Sequence, residues 1–244
     1  MDTVNIRHCL NLSWSKVILT GLFFWNLCSL VQAQDIRIKR VYLQDYDDKP
    51  VHYGFYFAAP NTRFNIRYSE NFVNADTTLR IYSPKRTGFR VGFILNGFLT
   101  DRIDVRLTPA VSLYGREIIF DGQSGTSRTL TRESTWLEFP LLLKYKSERR
   151  HNSRMYLVAG GTFGVETNVR RREVLGATRL STNTTDFQIE YGIGFEQFFE
   201  FFKFSPELRF AHGIPNLFQQ TPATANSSIR RLTSHAVTIY LNFE

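Results

Sequence analysis

Residues 187–196 read Phe-Gln-Ile-Glu-Tyr-Gly-Ile-Gly-Phe-Glu, with an apolar side chain at every odd position and a polar residue or glycine at every even one. Successive side chains of a β-strand point to opposite faces, so this alternation predicts a strand with one apolar and one polar face. Three further stretches, at 103–114, 202–210 and 237–243, alternate in the same way. The sequence therefore predicts an all-β fold.

Four more runs bring the number of candidate strands to eight: Val51 to Tyr68, Phe89 to Phe98, Trp136 to Tyr145 and Arg154 to Val165. The connections between strands alternate in length. Short ones are expected at 99–102, 147–153 and 199–201, and long ones after Tyr68 and at 121–132, 168–184 and 212–228. This arrangement is typical of an eight-stranded antiparallel transmembrane β-barrel, similar to the small OmpA/OmpX-type barrels. The barrel is predicted to span residues 51–244.

The first 33 residues have the features of a secretory signal peptide. Arg7 and Lys16 supply positive charge, an apolar stretch covers 17–31, and Val-Gln-Ala at 31–33 is a suitable cleavage site. A retained anchor helix is the alternative, but polar residues and a glycine interrupt the apolar stretch. We expect residues 34–50 to form a periplasmic lead-in, with the barrel in the outer membrane and both chain ends in the periplasm.

Composition excludes several kinds of function. Cys9 and Cys28 both lie in the predicted presequence, so the mature chain has no thiol for a disulfide, a metal site or a nucleophile. The formal net charge is +8, which could indicate nucleic acid binding. An exported chain does not normally meet nucleic acid, so we expect outer-membrane lipid and lipopolysaccharide as the partners of this charge.

The polar faces of the predicted strands carry full charges. A soluble β-sandwich or lipocalin-like barrel also alternates, but its core could not bury these charges cheaply. In a membrane barrel they would face the lumen, which eight strands make just wide enough for side chains to fill. A plugged scaffold is therefore expected, with a charged permeation path as the alternative. The side chains predicted to point inward are Arg90, Asp104, Arg106, Glu138, Lys144, Glu190, Glu196, Glu207 and Arg209.

Prolines and one irregularity predict local disruption of the sheet. Pro109, Pro140 and Pro206 each lack a ladder donor, so bulges or rim positions are expected there. The alternation also slips at Ala59-Pro60-Asn61, which predicts a further bulge.

No catalytic, cofactor-binding or metal-binding residue is predicted, and neither a cofactor nor a small-molecule substrate is expected. The histidines are isolated along the chain, and none shares a recognisable motif with a serine and an aspartate. His212 lies where a strand meets a long connection and is the best candidate for a site in a barrel enzyme. The basic run 170–172 could bind lipopolysaccharide phosphates or form a solvated turn. The acidic residues Asp45, Asp47 and Asp48 could dock a basic partner, although a disordered lead-in is the simpler expectation.

Four segments resemble the PorT family of Bacteroidetes outer-membrane proteins. They are Tyr-Asp-Asp-Lys-Pro-Val-His-Tyr-Gly-Phe at 46–55, Leu-Glu-Phe-Pro-Leu-Leu-Leu-Lys-Tyr-Lys-Ser at 137–147, Phe-Lys-Phe-Ser-Pro-Glu-Leu-Arg-Phe at 202–210 and Val-Thr-Ile-Tyr-Leu-Asn-Phe-Glu at 237–244. The third segment is the most specific, whereas the second is shared with other small barrels. One departure from the general outer-membrane terminus is that Phe243 is penultimate and Glu244 is last.

The resemblance implies a non-enzymatic barrel of the type IX secretion system, which would help move cargo proteins across the outer membrane with other secretion proteins. In gliding bacteria the family is also linked to motility. Two alternatives stay open at this point. One is a general small barrel that stabilises the envelope or adheres through its loops, and the other is a barrel enzyme with His212 near its site.

Overall fold

The computed structural model describes residues 40–70, 72, 80–121, 127–167, 183–218 and 229–244. The predicted signal peptide and the basic run at 170–172 lie outside these residues. The described part contains the strands β1 (Val51–Tyr68), β2 (Arg80–Tyr82), β3 (Arg86–Thr87), β4 (Phe89–Thr100), β5 (Ile103–Leu107), β6 (Ala110–Asp121), β7 (Ser127–Lys146), β8 (Ser153–Glu166), β9 (Thr185–Phe198), β10 (Lys203–Gly213) and β11 (Ile229–Phe243).

These strands close into a ring in which every pairing is antiparallel. β1 pairs with β11 on one side and with β4 on the other, and β7 to β11 follow one another in chain order. β5 and β6 are two pieces of one barrel strand, because both pair with β4 and with β7 in the same register. β2 and β3 precede β4 in the chain and extend its place in the ring beyond Phe89, where β2 pairs with β6 and β3 pairs with β1. The ring therefore has eight strand positions, as the sequence predicts.

The two ends of the barrel differ in their connections. Short turns join β4 to β5, β7 to β8 and β9 to β10, and we call this the short-turn end. At the opposite, long-loop end the loop predicted at 121–132 is shorter than expected, because β7 already begins at Ser127, while residues 122–126 lie outside the described residues. β6 and β7 continue there as a hairpin, paired from Ala110 and Glu138 to Asp121 and Ser127. Leu130 accounts for the extension, because it is 4% exposed within an apolar cluster at this end.

β1 exchanges the polarity of its two faces along its length. Phe55 and Phe57 are exposed on the outside, but farther along the outward residue is Arg63 and the buried one is Phe64. The pairing with β11 is unbroken from Phe55 to Arg67. The bulge predicted at 59–61 is therefore wrong. The inward side chains of β1 change from polar to apolar there, while the strand pairing stays the same. The reason is that an apolar cluster lies inside the barrel near the long-loop end.

The prolines disturb the sheet less than expected. No bulge forms at Pro140 or Pro206, where the pairings of β7 and β10 keep a constant register. Pro109 separates β5 from β6 without shifting the register, and its carbonyl still accepts a hydrogen bond from the Phe93 amide at 3.0 Å. Proline loses its donor but keeps its acceptor, so an isolated proline costs the ladder one bond. The registers shift instead after Arg67 and after Phe98.

Large apolar side chains cover the outside of the barrel. Phe93 is 69% exposed, Leu141 56%, Leu157 53% and Ile239 57%. Transfer of such a side chain from water to hydrocarbon is worth about 1.5–3 kcal/mol. The outward surface is thus suited to lipid, as in outer-membrane barrels. Within the described residues, no helix is both long and apolar enough to cross a membrane.

A charge-filled lumen as the candidate functional site

The inward faces of the strands bring the predicted charged side chains together. All nine are buried, none of them more than 3% exposed. The prediction of their orientation is therefore confirmed. Lys146, Arg154, Lys203 and Glu244 join these side chains in the lumen although the prediction does not name them, and Arg116, Glu117, Glu166 and Asp186 are buried as well. Lys146 follows Lys144 by two residues on β7, and Arg154 precedes the buried Tyr156 by two residues on β8, so extending the alternation to the strand ends would have found both.

Charges of alternating sign form one continuous series along the lumen, which we call the charge ladder. From the long-loop end its members are Glu138, Arg90, Glu190, Arg209, Glu207, Arg106, Glu244, Lys203, Glu196, Arg154 and Asp47. Removing an ion from water costs several kcal/mol unless an opposite charge is close. The alternation gives each buried charge such a partner.

Arg90 and Arg209 organise the half of the ladder nearer the long-loop end. Arg90 Nη2 lies 2.5 Å from Glu138 Oε2, and its Nη1 lies 3.9 Å from Glu190 Oε1. Arg209 Nη1 lies 3.2 Å from Glu190 Oε2, and its Nε pairs with Glu207. Glu190 therefore bridges the two guanidinium groups.

Arg106 links the two halves of the ladder. Its Nη1 lies 3.3 Å from Glu207 Oε2, and its Nη2 lies 2.8 Å from Glu244 Oε1. The Tyr156 hydroxyl donates to the same Glu207 oxygen at 2.7 Å, and the Tyr156 ring lies 5.4 Å from the Arg106 guanidinium carbon. Tyr156 thus supplies a neutral donor to Glu207 and an electron-rich ring to two cations, Arg106 and Lys144, whose Nζ lies 4.6 Å from the ring centroid.

Glu196 is the centre of the half nearer the short-turn end. It pairs with Lys144 and Arg154, and Lys203 Nζ lies 2.8 Å from its Oε1. Lys203 Nζ also lies 3.0 Å from Glu244 Oε2. The Glu196 carboxylate therefore faces three cations. The Glu244 carboxylate pairs with only one of them, Lys203.

Residues 41–50 fold across the short-turn end, and we call them the plug segment. The Tyr46 ring stacks on His52 with centroids 3.9 Å apart, and its hydroxyl donates to Glu244 Oε2 at 3.0 Å. Asp47 Oδ1 accepts from Arg154 Nη1 at 2.9 Å. The plug segment is therefore ordered, contrary to the expectation of a disordered acidic lead-in. Asp47 is paired within the chain, while Asp45 and Asp48 are exposed.

The turn between β7 and β8 holds the other end of the plug segment. Arg149 Nη1 donates to the Leu43 carbonyl at 2.9 Å, and Asn152 Oδ1 accepts from the Tyr42 amide at 2.8 Å. Leu43 has a φ of 47°, in the left-handed region that a leucine rarely adopts. The contacts from Arg149 and Tyr46 on either side hold it there.

The electrostatics of the plug segment keep its hydrogen bond to Glu244 in one protonation state. Burial alone would raise the pKa of Glu244, but Lys203 and Arg106 outweigh it and hold the pKa well below its ordinary value. Burial, with the nearby Glu244 charge, raises the pKa of Tyr46 far above its ordinary value. A neutral phenol therefore donates to an ionised carboxylate throughout the physiological pH range.

The histidines of the mature chain do not converge on one site. His212 lies on the outer face, 2.8 Å from His235 between their Nδ1 atoms, with the Tyr191 hydroxyl 3.0 Å from its Nε2. Among the described residues neither imidazole bonds to a carboxylate or a serine, so a hydrolase-type triad is not assembled there. His52 stacks under the plug segment, and His151 occupies an exposed turn.

Comparison with known proteins gives a family. The chain is similar to the crystal structure of the outer membrane protein OprG from Pseudomonas aeruginosa, with 12% identity, a TM-score of 0.46, and coverage of 79% of this chain and 92% of that one. No curated protein matches the chain. The family described as outer membrane protein beta-barrel domain matches residues 32–219. The chain therefore belongs to this family of outer-membrane β-barrel proteins.

Proposed function

We propose that this outer-membrane barrel is closed and non-enzymatic, and that it serves as an accessory component of type IX protein secretion. The observation that carries the closed state is the charge ladder, whose members fill the lumen from Glu138 to Asp47. The plug segment covers the short-turn end of the same lumen. A barrel without a free lumen acts through its surfaces, so its role lies in contacts with other proteins and with lipid.

We further propose that the short-turn end faces the periplasm. Bacterial barrels place short turns there and longer loops outside. β11 ends at the short-turn end, where the Glu244 amide and carbonyl pair with Lys203, and β1 begins there beside the plug segment. Both ends of the described chain would then be periplasmic and accessible to periplasmic secretion proteins.

The secretion role is supported by the placement of the segments that resemble the PorT family. Three of the four, 46–55, 202–210 and 237–244, lie side by side on the plug segment, β1, β10 and β11. Their outward aromatic rings form one patch, in which Phe243 lies 5.4 Å from Phe55 and 5.2 Å from Phe204 between ring centroids. Residues far apart in sequence thus share one surface, which supports a contact function for that surface.

Deletion of the gene in its native host should trap cargo proteins that carry C-terminal secretion signals in the periplasm. The measurement is immunodetection of cargo in periplasmic and culture fractions, with the wild-type gene restored in trans as the control. Normal cargo secretion by the deletion strain would contradict the secretion role.

The second candidate function is an envelope-stabilising or adhesive barrel, and the hairpin of β6 and β7 favours it. This hairpin extends the barrel at the long-loop end over an apolar cluster that includes Ile118 and Leu130. The same deletion strain separates the two candidates. Unchanged secretion with altered detergent sensitivity or surface adhesion would support the second.

Purified protein reconstituted in planar bilayers should show no steady conductance. We expect the charge ladder to block ion flow, because its guanidinium and carboxylate groups bond to one another across the lumen. Current recordings under applied voltage check this, with a large porin inserted by the same protocol as the positive control. Stable porin-like channels would rule out the closed lumen.

A further inference from the structure

A row of basic and imidazole side chains crosses the outer face of the barrel where its apolar band ends. Arg63 on β1 lies opposite His235 on β11, and His235 lies opposite His212 on β10. The Tyr191 hydroxyl on β9 extends the row by its contact with His212. Donor groups from four adjacent strands thus lie at one level of the barrel, facing outward.

Beside this row lies a groove of about 470 Å³ with two chemically distinct walls. Toward the long-loop end its wall carries Arg63, Lys85 and the two histidines; toward the short-turn end it consists of Leu208, Phe210, Val237 and Ile239. Val237 is 44% exposed and Ile239 57%. Among the described residues that line the groove, none is acidic.

Two other arginines near the rims already have an acidic partner within the chain. Arg86 lies 2.7 Å from Glu117, and Arg102 lies 3.0 Å from Glu148. Arg63 and Lys85 form no ion pair with any residue in the described part of the chain. Both are exposed and directed to the same groove, Arg63 from β1 and Lys85 from the segment between β2 and β3. An anion supplied from outside would complete their pairing.

We infer that this groove binds the phosphorylated headgroup of a membrane lipid, with the acyl chains lying along β10 and β11. A soluble anion would use the cations but leave the apolar wall exposed, and an uncharged lipid would do the reverse. A phosphorylated lipid satisfies both walls at once. The Arg63 guanidinium offers the fork of donors that matches phosphate oxygens, and the Lys85 ammonium adds a second positive charge. The groove lies at the level where headgroups meet the apolar band.

The test compares two lipids that share their acyl chains and differ in headgroup charge. Wild-type protein in neutral detergent micelles is titrated with dioleoyl phosphatidate or dioleoyl phosphatidylcholine, and bound lipid is counted by native mass spectrometry. The double variant Arg63→Gln/Lys85→Gln should bind phosphatidate at least about 10-fold more weakly, with phosphatidylcholine binding unchanged. Arg67→Gln is the matched control, because it is exposed on the same strand and face but lies outside the groove. It should change affinity by less than about twofold.

Three results would overturn the inference. They are unchanged phosphatidate binding by the double variant, an equal loss in Arg67→Gln, and displacement of phosphatidate by inorganic phosphate at the lipid's own concentration. The last would indicate a site for free anions. The mobility of unheated protein on gels verifies that each variant is folded. If the double variant is not, the single variants decide, each with an expected loss of about threefold or more.

Discussion

Replacing Glu196 by glutamine should lower the free energy of unfolding by about 3–5 kcal/mol, because it leaves buried cations without their counter-charge. Glutamine preserves the volume of the side chain but not its charge. After the substitution Arg154 still has Asp47 as an ion-pair partner at 2.9 Å, and Lys203 still has Glu244 at 3.0 Å. Lys144 pairs with Glu196 alone among the described carboxylates and is fully buried. The cost therefore falls mainly on Lys144.

The measurement is reversible urea unfolding of the barrel in detergent micelles, followed by tryptophan fluorescence. In protein produced without residues 1–33, Trp136 is the one remaining tryptophan, and it is 3% exposed in the barrel wall. A single buried reporter on β7 follows the loss of the folded barrel directly. Introducing Lys144→Met into Glu196→Gln should recover part of the lost stability, because it removes the unpaired charge.

Glu148→Gln provides the matched control. Glu148 also pairs with an arginine, Arg102, at 3.0 Å, but its side chain is 82% exposed. Water screens such a pair, so the same carboxylate-to-amide change should cost less than about 0.5 kcal/mol there. Equal effects at Glu196 and Glu148, or a loss below about 1 kcal/mol at Glu196, would show that water reaches the lumen pairs and screens them.

The same physics explains why the lumen could be predicted from sequence. A membrane barrel has an apolar face toward lipid, so each charged residue within an alternating strand has one possible side. The period of two then assigns Arg90, Glu138 and Glu196 inward without knowledge of any contact. Neighbouring strands obey the same rule, which is why eight of the nine predicted side chains join one ion-pair network. The ninth, Asp104, pairs with Lys146 at 2.7 Å and is linked to Arg106 through Asn96.

The rule fails where lipid no longer contacts the outside of the sheet. Beyond Thr62 the outward residues of β1 are polar and the inward ones apolar, with Phe64 packed against Ile118 and Leu232 in one buried cluster. If apolar side chains are assumed to point outward along the whole strand, this inversion looks like a slip in register. The β6–β7 hairpin was missed for the same reason, since Leu130 faces this cluster rather than lipid.

The plug segment shows a different limit. Tyr46 and Asp47 lie outside any periodic element, and their partners Glu244 and Arg154 are far away in sequence. No local pattern distinguishes such residues from a solvated lead-in. Their order depends on the closed barrel, which brings β8, β10 and the last residue of the chain to one mouth.

Gly194→Ala should destabilise the barrel by about 2–3 kcal/mol, because the lumen has no room for one more methyl group at this position. A Cβ on Gly194 would lie 2.1 Å from Cζ of Tyr156. The Tyr156 ring cannot easily move away, since its hydroxyl donates to Glu207 at 2.7 Å and Lys144 Nζ lies 4.6 Å from the ring centroid. Glycine at position 194 thus leaves the space that the Tyr156 ring needs in order to contact the charge ladder.

A double-mutant cycle tests this reason rather than the loss alone. Tyr156→Ala removes the obstructing ring, so Gly194→Ala should cost little in that background, giving a coupling energy of about 1–3 kcal/mol. Gly115→Ala is the control, because no atom lies within 4 Å of its added Cβ, and its effect should stay within about 0.5 kcal/mol. Additive effects of Gly194→Ala and Tyr156→Ala in urea unfolding would contradict the steric account, because they would mean that the two residues do not share the space that the ladder depends on.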